Sequence, residues 1–117
     1  MKSATEFLDD LWEDSIGVRP PRGLDLLRLT EWSPRFERLM RNRLIMGALR
    51  YGRLGSEGKP KYDRIESIRK RLNEYERAGN DELLVDVANL CVLEFEEGEH
   101  PTKHFRAIDD GEHARKR

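Results

Sequence analysis

The chain has 117 residues, of which 38% are charged and 37% are hydrophobic. This length supports a single hydrophobic core. No apolar run reaches the roughly 18 residues of a membrane span, and the acidic N-terminus has no apolar stretch, so we expect neither a transmembrane helix nor a signal peptide. The single cysteine, Cys91, can form no internal disulfide, which indicates a reducing, cytoplasmic location.

Charge is separated along the chain although the formal net charge is only −1. The net charge is −4 over residues 1–18, +9 over 19–71, −8 over 72–99 and +2 over 100–117. Three explanations stay open: pairing of the basic and acidic segments within the chain, a phosphate-rich ligand bridged by metal, or head-to-tail association into a homo-oligomer. A nucleic-acid binder usually carries a net basic domain, so we do not expect nucleic acid as a partner.

The first segments favour short helices. Ser3–Glu6 has the order of a capping box and precedes an apolar face formed by Phe7, Leu8, Leu11 and Trp12. After a break rich in glycine and proline, residues 24–29 are apolar at four positions and predict one or two further helical turns. Strand-like alternation is not found in any segment.

Ser33 followed by Pro34 predicts the start of a longer helix that runs to Tyr51 and ends at Gly52. Gly47 lies inside this helix, where glycine is unfavourable, so it indicates that another helix or a ligand comes close. We expect a helix–helix contact there. The following segment, 53–62, is a loop with Lys59 and Lys61, and a plain solvated loop is favoured over a phosphate-binding one because the P-loop order is absent.

Two antiparallel helices are predicted next, over residues 63–78 and 81–97. A second capping box opens the first at Asp63, Gly79 closes it, and Asn80 or Asp81 caps the second. The short link makes the two helices neighbours. From about residue 99 the chain is expected to form an irregular tail anchored by Phe105 and Ile108.

The second of these helices is apolar on almost every side, so we expect it at the centre of the fold, with Leu90 and Cys91 buried. Three polar residues, Glu82, Asp86 and Asn89, share one narrow stripe of it. A carboxylate on a core helix needs a partner, which can be an arginine, a metal or a polar network. His100 and His104 have the spacing of a metal pair but no third ligand, so a surface pair is expected.

Three segments carry a resemblance to a known family: RNRLIMGALRYG, KPKYDRIESIRKRL and LLVDVANLCVLEF. They resemble small helical proteins of phages and bacterial genomes, are similar to phage-type dATP/dGTP diphosphohydrolases, and more distantly resemble the all-α MazG-like nucleoside triphosphate pyrophosphohydrolases. In that group an ExxE pair and an ExxD pair on successive helices hold Mg²⁺. Here Asp86 matches the aspartate of the second pair, Leu83 stands where its glutamate belongs, and the first pair is absent.

We therefore expect an all-α single domain of four or five helices with a central antiparallel hairpin. The resemblance implies a Mg²⁺-dependent pyrophosphohydrolase or a nucleotide-binding protein derived from one. In this interpretation Asp86 and Glu82 are catalytic, and Glu82, Asp86 and Glu66 hold Mg²⁺. The nucleotide is bound by Arg43, Arg50, Lys59, Lys61 and Asn89. The alternative is a non-enzymatic phage accessory protein that acts on a host protein or a nucleotide signal.

Overall fold

The computed structural model describes residues 21–108 and 113–116, and the helix predicted after Ser3 lies outside them. The described residues contain four α-helices and no strand, which confirms the all-α prediction. The helices are α1 (Pro21–Thr30), α2 (Pro34–Tyr51), α3 (Arg64–Ala78) and α4 (Glu82–Glu97). Two compact units are formed: one takes its described residues from Met1–Glu31 and Thr102–Arg117, and the other is Trp32–Pro101.

Helix α1 confirms the helical turns predicted over residues 24–29. Leu24 is buried, whereas Leu26 and Leu29 are exposed. Arg28 Nη1 binds Asp25 Oδ1 at 3.0 Å, three residues away on the helix surface. Such exposed pairs stabilise a helix by only a few tenths of a kcal/mol.

Helix α2 has the predicted boundaries. The Ser33 hydroxyl accepts a hydrogen bond from the Phe36 backbone N–H at 3.1 Å, and Pro34 occupies the first helical position, where no N–H is needed. Gly52 ends the helix with φ +107°, a conformation that residues with a side chain rarely adopt. Both ends of α2 are therefore determined by local sequence.

Helix α3 is also terminated by its own residues. The Asp63 carboxylate accepts a hydrogen bond from the Glu66 N–H at 3.0 Å. At the other end Gly79 adopts the left-handed conformation and its N–H donates to the Tyr75 carbonyl at 2.8 Å. The next helix is capped by Asn80, whose Oδ1 accepts from the Glu82 N–H at 3.1 Å, while Asp81 makes no side-chain cap.

Helix α4 packs against both α3 and α2. Two ion pairs show that α3 and α4 are antiparallel neighbours. Arg64 at the start of α3 pairs with Glu97 at the end of α4, and Arg71, further along α3, lies near Asp86, which is earlier in α4. The predicted hairpin is confirmed. None of the described helices combines the length and the apolar character needed to cross a membrane.

The prediction that α4 is covered on all sides is wrong. Only Val85 and Asn89 are buried on this helix, Leu90 is half-buried, Cys91 is exposed, and Phe95 is 63% exposed. In the described part of the unit Trp32–Pro101, α4 has two neighbouring helices, and two neighbours cover only part of the circumference of a helix. The apolar side chains on the remaining face lie at the surface.

The described residues after Glu97, 98–108 and 113–116, contain no helix or strand. The predicted anchors do not hold this tail, because Phe105 is 83% exposed and Ile108 is 75% exposed. His104 Nδ1 lies 2.8 Å from the Thr102 carbonyl oxygen, a bond made within the tail itself.

Candidate functional site

A groove of about 500 Å³ lies in the unit Trp32–Pro101. It is lined by residues of α2, α3 and α4 and by the loop 52–63. Small-molecule sites in proteins have volumes of roughly 300–1,000 Å³. The groove is therefore large enough for a ligand of nucleotide size.

Gly47 lies in the α2 side of the groove. Apart from its chain neighbours and the backbone of its own helix, no described atom lies within 4 Å of a Cβ atom built at Gly47, so the close helix–helix contact expected at this position is not made. The glycine instead leaves open space in the groove. The sequence indicated that either a helix or a ligand comes close to Gly47, and of these two the ligand stays possible.

Asp86 is held by two arginines. Its Oδ1 accepts from Arg43 Nε at 2.8 Å, and its Oδ2 lies 3.7 Å from Arg71 Nε. Arg43 also binds Glu82 through Nη2 at 2.8 Å. The Asp86 side chain is 21% exposed, so this ion-pair cluster is partly shielded from water. Of the partners considered for Asp86 from sequence, arginine is the one that the structure places there.

Glu97 is the centre of a second polar cluster, at the loop. It accepts hydrogen bonds from Lys59 Nζ at 2.9 Å, from the Gly55 N–H at 2.8 Å and from Arg64 Nη2 at 3.0 Å. The hydrogen bond from Lys59, followed by that from the Gly55 backbone, lowers the pKa of the Glu97 carboxyl, because both favour the charged form. The loop is thereby fastened to the end of α4.

These ion pairs explain the charge separation seen in the sequence. The pairs Arg43–Asp86, Lys59–Glu97 and Lys61–Glu99 each join the basic segment 19–71 to the acidic segment 72–99. Pairing within the chain, one of the three explanations left open, is therefore confirmed. These ion pairs leave the groove with more positive than negative side chains in its lining.

Arg50 is the groove-lining cation without a carboxylate partner among the described residues. The groove is lined by five cations and two carboxylates: Arg43, Arg50, Lys59, Arg64 and Arg71 against Asp86 and Glu97. The excess of positive charge favours an anion in the groove. Arg50 has its hydrogen-bond donors available for it.

Asn89 lines the groove on α4 and is only 7% exposed. Its Nδ2 donates to the Met40 carbonyl oxygen at 3.0 Å, which joins α4 to α2. Its Oδ1 is buried and has no hydrogen-bond partner among the described residues. A buried acceptor without a donor is uncommon, because it loses water and gains nothing in return.

Two tyrosines line the groove near the loop. Tyr51 ends α2 and Tyr62 lies before α3, and their rings meet edge to face with centroids 6.0 Å apart. They are 50% and 62% exposed. Exposed aromatic faces beside a cationic groove are suited to stacking on a flat ring.

The structure brings together five of the residues proposed from sequence. The groove contains Arg43, Arg50, Lys59, Asp86 and Asn89. Glu82 is not part of the lining, but it pairs with the lining residue Arg43. Lys61 is outside the lining, 82% exposed and paired with Glu99, and Glu66 is 49% exposed and lies 3.6 Å from Arg69.

The proposed Mg²⁺ ligands do not fit a metal site as they are arranged. Both oxygens of Asp86 face guanidinium groups, Glu82 is bound to the same Arg43, and Glu66 is paired elsewhere. Guanidinium groups at this distance repel a divalent cation. Among the described residues no group of three or more His, Cys, Asp or Glu could hold a metal ion.

Sequence reasoning missed three charged residues of the groove: Arg64, Arg71 and Glu97. A signal for them was present. Arg64 and Arg71 are seven residues apart, which places them on one face of α3 two turns apart. In an antiparallel hairpin that face meets the acidic residues of α4, so charge matching along the two helices would have found the pairs.

No family model matches the sequence, and no curated protein or solved structure is significantly similar to it. The resemblance to MazG-like proteins therefore depends on residues 36–98 alone and stays a prediction.

Proposed function

We propose that the protein binds a nucleotide in the groove, with the phosphates held by arginines. The observation that carries this proposal is Arg50, which lines the groove without a carboxylate partner among the described residues, next to four further cations. The guanidinium group presents five N–H donors and matches the geometry of phosphate oxygens. A phosphate group supplies the negative charge that the lining lacks.

The two tyrosines support a nucleotide over a simple inorganic anion. Tyr51 and Tyr62 offer exposed ring faces at the groove, and stacking of a base on an aromatic ring contributes about 1–3 kcal/mol. Tyr51 directly follows Arg50 in the chain, so cation and ring belong to the same turn of α2. A nucleotide combines the anionic group and the flat ring that these two residues accept.

Hydrolysis of the nucleotide, which the family resemblance implies, needs a change in the Asp86 cluster. Asp86 and Glu82 are engaged by Arg43, and the positive charge of that guanidinium group opposes a divalent cation at the same carboxylate oxygens. We therefore propose binding as the function and leave the catalytic roles of Asp86 and Glu82 as predictions.

The test is a titration of the purified full-length protein with ATP, GTP, CTP, UTP and pyrophosphate, followed by isothermal calorimetry and by thermal unfolding. Nucleotide at about 100 times its Kd is expected to raise the free energy of unfolding by about 2.7 kcal/mol. Arg50→Ala should weaken nucleotide binding roughly tenfold or more, because a hydrogen bond between charged groups contributes about 1.5–3 kcal/mol.

Arg38→Ala is the matched control. Arg38 is also an exposed arginine of α2, but it does not line the groove. Its removal should leave the Kd nearly unchanged, although it lowers the net charge by the same amount. Equal weakening by the two substitutions, or a wild-type protein whose melting temperature no nucleotide changes, would refute the proposal.

A second candidate, an interaction protein, is favoured by the outer face of α2. Ile45 is 60% exposed and Leu49, one turn further on, is 84% exposed. Exposed apolar residues four positions apart form a stripe that a partner helix can cover. Ile45→Ser with Leu49→Ser should abolish partner binding in this case and leave nucleotide binding intact.

A further inference from the structure

A stripe of apolar residues on α4 lies on the side of the helix that is turned away from the groove. The groove is lined on this helix by Asp86, Leu93 and Glu97, among others, and by none of the stripe residues. At 100° per residue, the stripe lies about half a turn around α4 from these three residues. The stripe consists of Leu84, Ala88, Cys91 and Phe95.

This stripe lies at the surface of the protein. Cys91 is exposed, Phe95 is 63% exposed, and the other two stripe residues are half-buried. Every residue of the unit Trp32–Pro101 is described, and Val85 is the one apolar residue in it that is buried. A small unit with so few buried apolar side chains gains stability when another surface covers its exposed ones.

The spacing of the stripe is that of helices that pair along their length. Its residues are separated by four, three and four positions, which is the alternation of apolar positions in a heptad repeat. The large side chains, Leu84 and Phe95, are at the ends of the stripe, and the small ones, Ala88 and Cys91, are in its middle. The order of sizes is therefore the same from either end.

We propose that two copies of the chain associate through this stripe, with their α4 helices packed antiparallel around a two-fold axis. A two-fold interface requires a surface that complements itself. In the antiparallel arrangement Leu84 of one protomer meets Phe95 of its partner, and Ala88 meets Cys91, because both pairs are centred on the same point of the helix. The small residues in the middle let the helices approach closely. Antiparallel packing also brings the oppositely charged ends of the two helix dipoles together.

Helix α3 extends the apolar surface on the same side of the unit. Ile65 and Leu72 are exposed, and their separation of seven positions places them on one face of α3. Arg64 and Arg71, each one position earlier, line the groove. The half-buried Ile68 lies between these two faces around the helix. Ile65 and Leu72 therefore lie on the side of α3 away from the groove, beside the α4 stripe.

The combined surface is large enough for a reversible dimer. The 16 residues of α4 form a helix about 24 Å long, and packed helices lie about 8–10 Å apart. The sides of α4 and α3 away from the groove thus offer roughly 500 Å² per protomer, or about 1,000 Å² in the dimer, which is the lower limit of specific interfaces. We therefore expect a dimer that dissociates into folded monomers on dilution.

Sedimentation equilibrium of the purified full-length protein tests the proposal. The average mass should rise towards twice the monomer mass as the protein concentration increases. Cys91 is the single cysteine of the chain and lies in the middle of the stripe, so its alkylation by N-ethylmaleimide should become slower over the same concentration range. Protection that appears only at high protein concentration identifies a second copy as the cover.

Phe95→Glu should raise the dissociation constant of the dimer at least about thirtyfold, because it removes an aromatic anchor and places a charge in the interface. Leu49→Glu is the matched control. Leu49 is an exposed leucine of α2 outside the stripe, so this substitution should leave the dissociation constant nearly unchanged. Cys91→Glu, also at an exposed position, replaces Phe95→Glu if circular dichroism shows that the latter variant is unfolded.

The direction of the helices is tested by adding Leu84→Lys to Phe95→Glu. In the antiparallel arrangement the two introduced charges face each other as opposite pairs, so the double variant should associate more tightly than Phe95→Glu alone. In a parallel arrangement like charges would meet, and the double variant would associate no better. That result would overturn the proposed pairing.

Three further outcomes would overturn the proposal. The protein stays monomeric at all concentrations while Cys91 reacts freely; Cys91 is protected in the monomer, which would mean that another segment of the chain covers the stripe; or Phe95→Glu and Leu49→Glu weaken association equally. Nucleotide binding is a separate matter. Phe95→Glu should leave the Kd for a nucleotide unchanged, because Phe95 is not part of the groove lining.

Discussion

Arg43 donates its Nε hydrogen to Asp86 Oδ1 at 2.8 Å and in this way connects α2 to α4. The same carboxylate faces Arg71 of α3, so one side chain of α4 is paired with both of the other helices of the groove. Asp86 thus combines two effects that can be separated by mutation. It holds the helices together, and it cancels part of the positive charge to which a phosphate would bind.

We expect Asp86→Ala to lower the free energy of unfolding by about 1–3 kcal/mol. The loss stays below the roughly 3–5 kcal/mol of a fully buried pair, because the Arg43 and Arg71 side chains are 39% and 38% exposed and retain water. Nucleotide affinity should rise at the same time, since two arginines lose their counter-charge. Urea denaturation and calorimetry measure the two effects.

Glu66→Ala is the control for this prediction. Its side chain is 49% exposed and 3.6 Å from Arg69, so its removal should change stability by less than about 1 kcal/mol. If Asp86→Ala instead left stability unchanged and abolished Mg²⁺-dependent nucleotide turnover, the carboxylate would be catalytic, as the family resemblance implies.

Acid should release the loop through Glu97. Hydrogen bonds from Lys59 and Gly55 lower the pKa of this carboxyl in the folded protein, so the unfolded chain binds the proton more readily. The stabilisation is fully present above the unfolded glutamate pKa of about 4.3 and is lost as the pH falls through the lower folded value. Glu97→Gln should cost about 1.5–3 kcal/mol at pH 7.

Denaturation of wild type and Glu97→Gln across pH 7 to 2.5 checks this prediction. The gap between the two proteins should be widest at neutral pH and close in acid. Glu99→Gln provides the comparison, because Glu99 pairs with Lys61 at 3.1 Å but is 73% exposed. A constant gap between wild type and Glu97→Gln at all pH values would show that the carboxylate charge is not responsible.

The apolar side chains of α4 should contribute very unequally to the free energy of unfolding of the monomer. Val85 is 3% exposed and Phe95 is 63% exposed on the same helix. Val85→Ala removes two buried carbon atoms and should cost about 1.5–3 kcal/mol, because each buried methylene contributes about 0.8 kcal/mol and a cavity is left behind. Phe95→Ala removes a larger side chain and should nevertheless cost less than about 1 kcal/mol. The reverse order in thermal or urea unfolding would mean that Phe95 is covered, as it would be by a second copy of the chain.

Local signals predicted most of the fold. Ser33, Gly52, Asp63 and Gly79 each act through contacts with residues only a few positions away, so the boundaries of α2 and α3 could be read from sequence. The burial of individual side chains was harder to predict from the sequence. The apolar pattern of α4 indicates which side chains favour burial. It does not indicate how many helices cover α4, and in the described unit only α2 and α3 do. For this reason Cys91 was wrongly expected in the core.

The site was predicted in part for the same reason. Sequence identified Asp86 and Asn89 because they interrupt an apolar helix, and Arg50 as one of the basic residues that would bind phosphate in the nucleotide interpretation. Their partners depend on long-range geometry: Arg43 is 43 residues from Asp86, and the Met40 carbonyl is 49 residues from Asn89. Two arginines on one carboxylate are not encoded in spacing along either helix, so the sequence alone did not identify arginine as the partner of Asp86.

Gly47 offers a test in which stability and binding should move in opposite directions. A Cβ atom there meets nothing within 4 Å, and alanine is favoured over glycine inside a helix by about 0.5–1 kcal/mol. Gly47→Ala should therefore stabilise the protein by about that amount. Because the added methyl group enters the groove that a nucleotide would occupy, the Kd for the nucleotide should rise.

Gly55→Ala is the matched control for this last prediction. Gly55 also has no atom within 4 Å of an added Cβ, but its φ is +77°, a left-handed conformation that costs an alanine about 1–2 kcal/mol. The same substitution should thus stabilise at one glycine and destabilise at the other, with backbone conformation the deciding difference. Stabilisation by Gly47→Ala with an unchanged Kd would place the nucleotide away from this part of α2; destabilisation would show that space at Gly47 is needed by the fold itself.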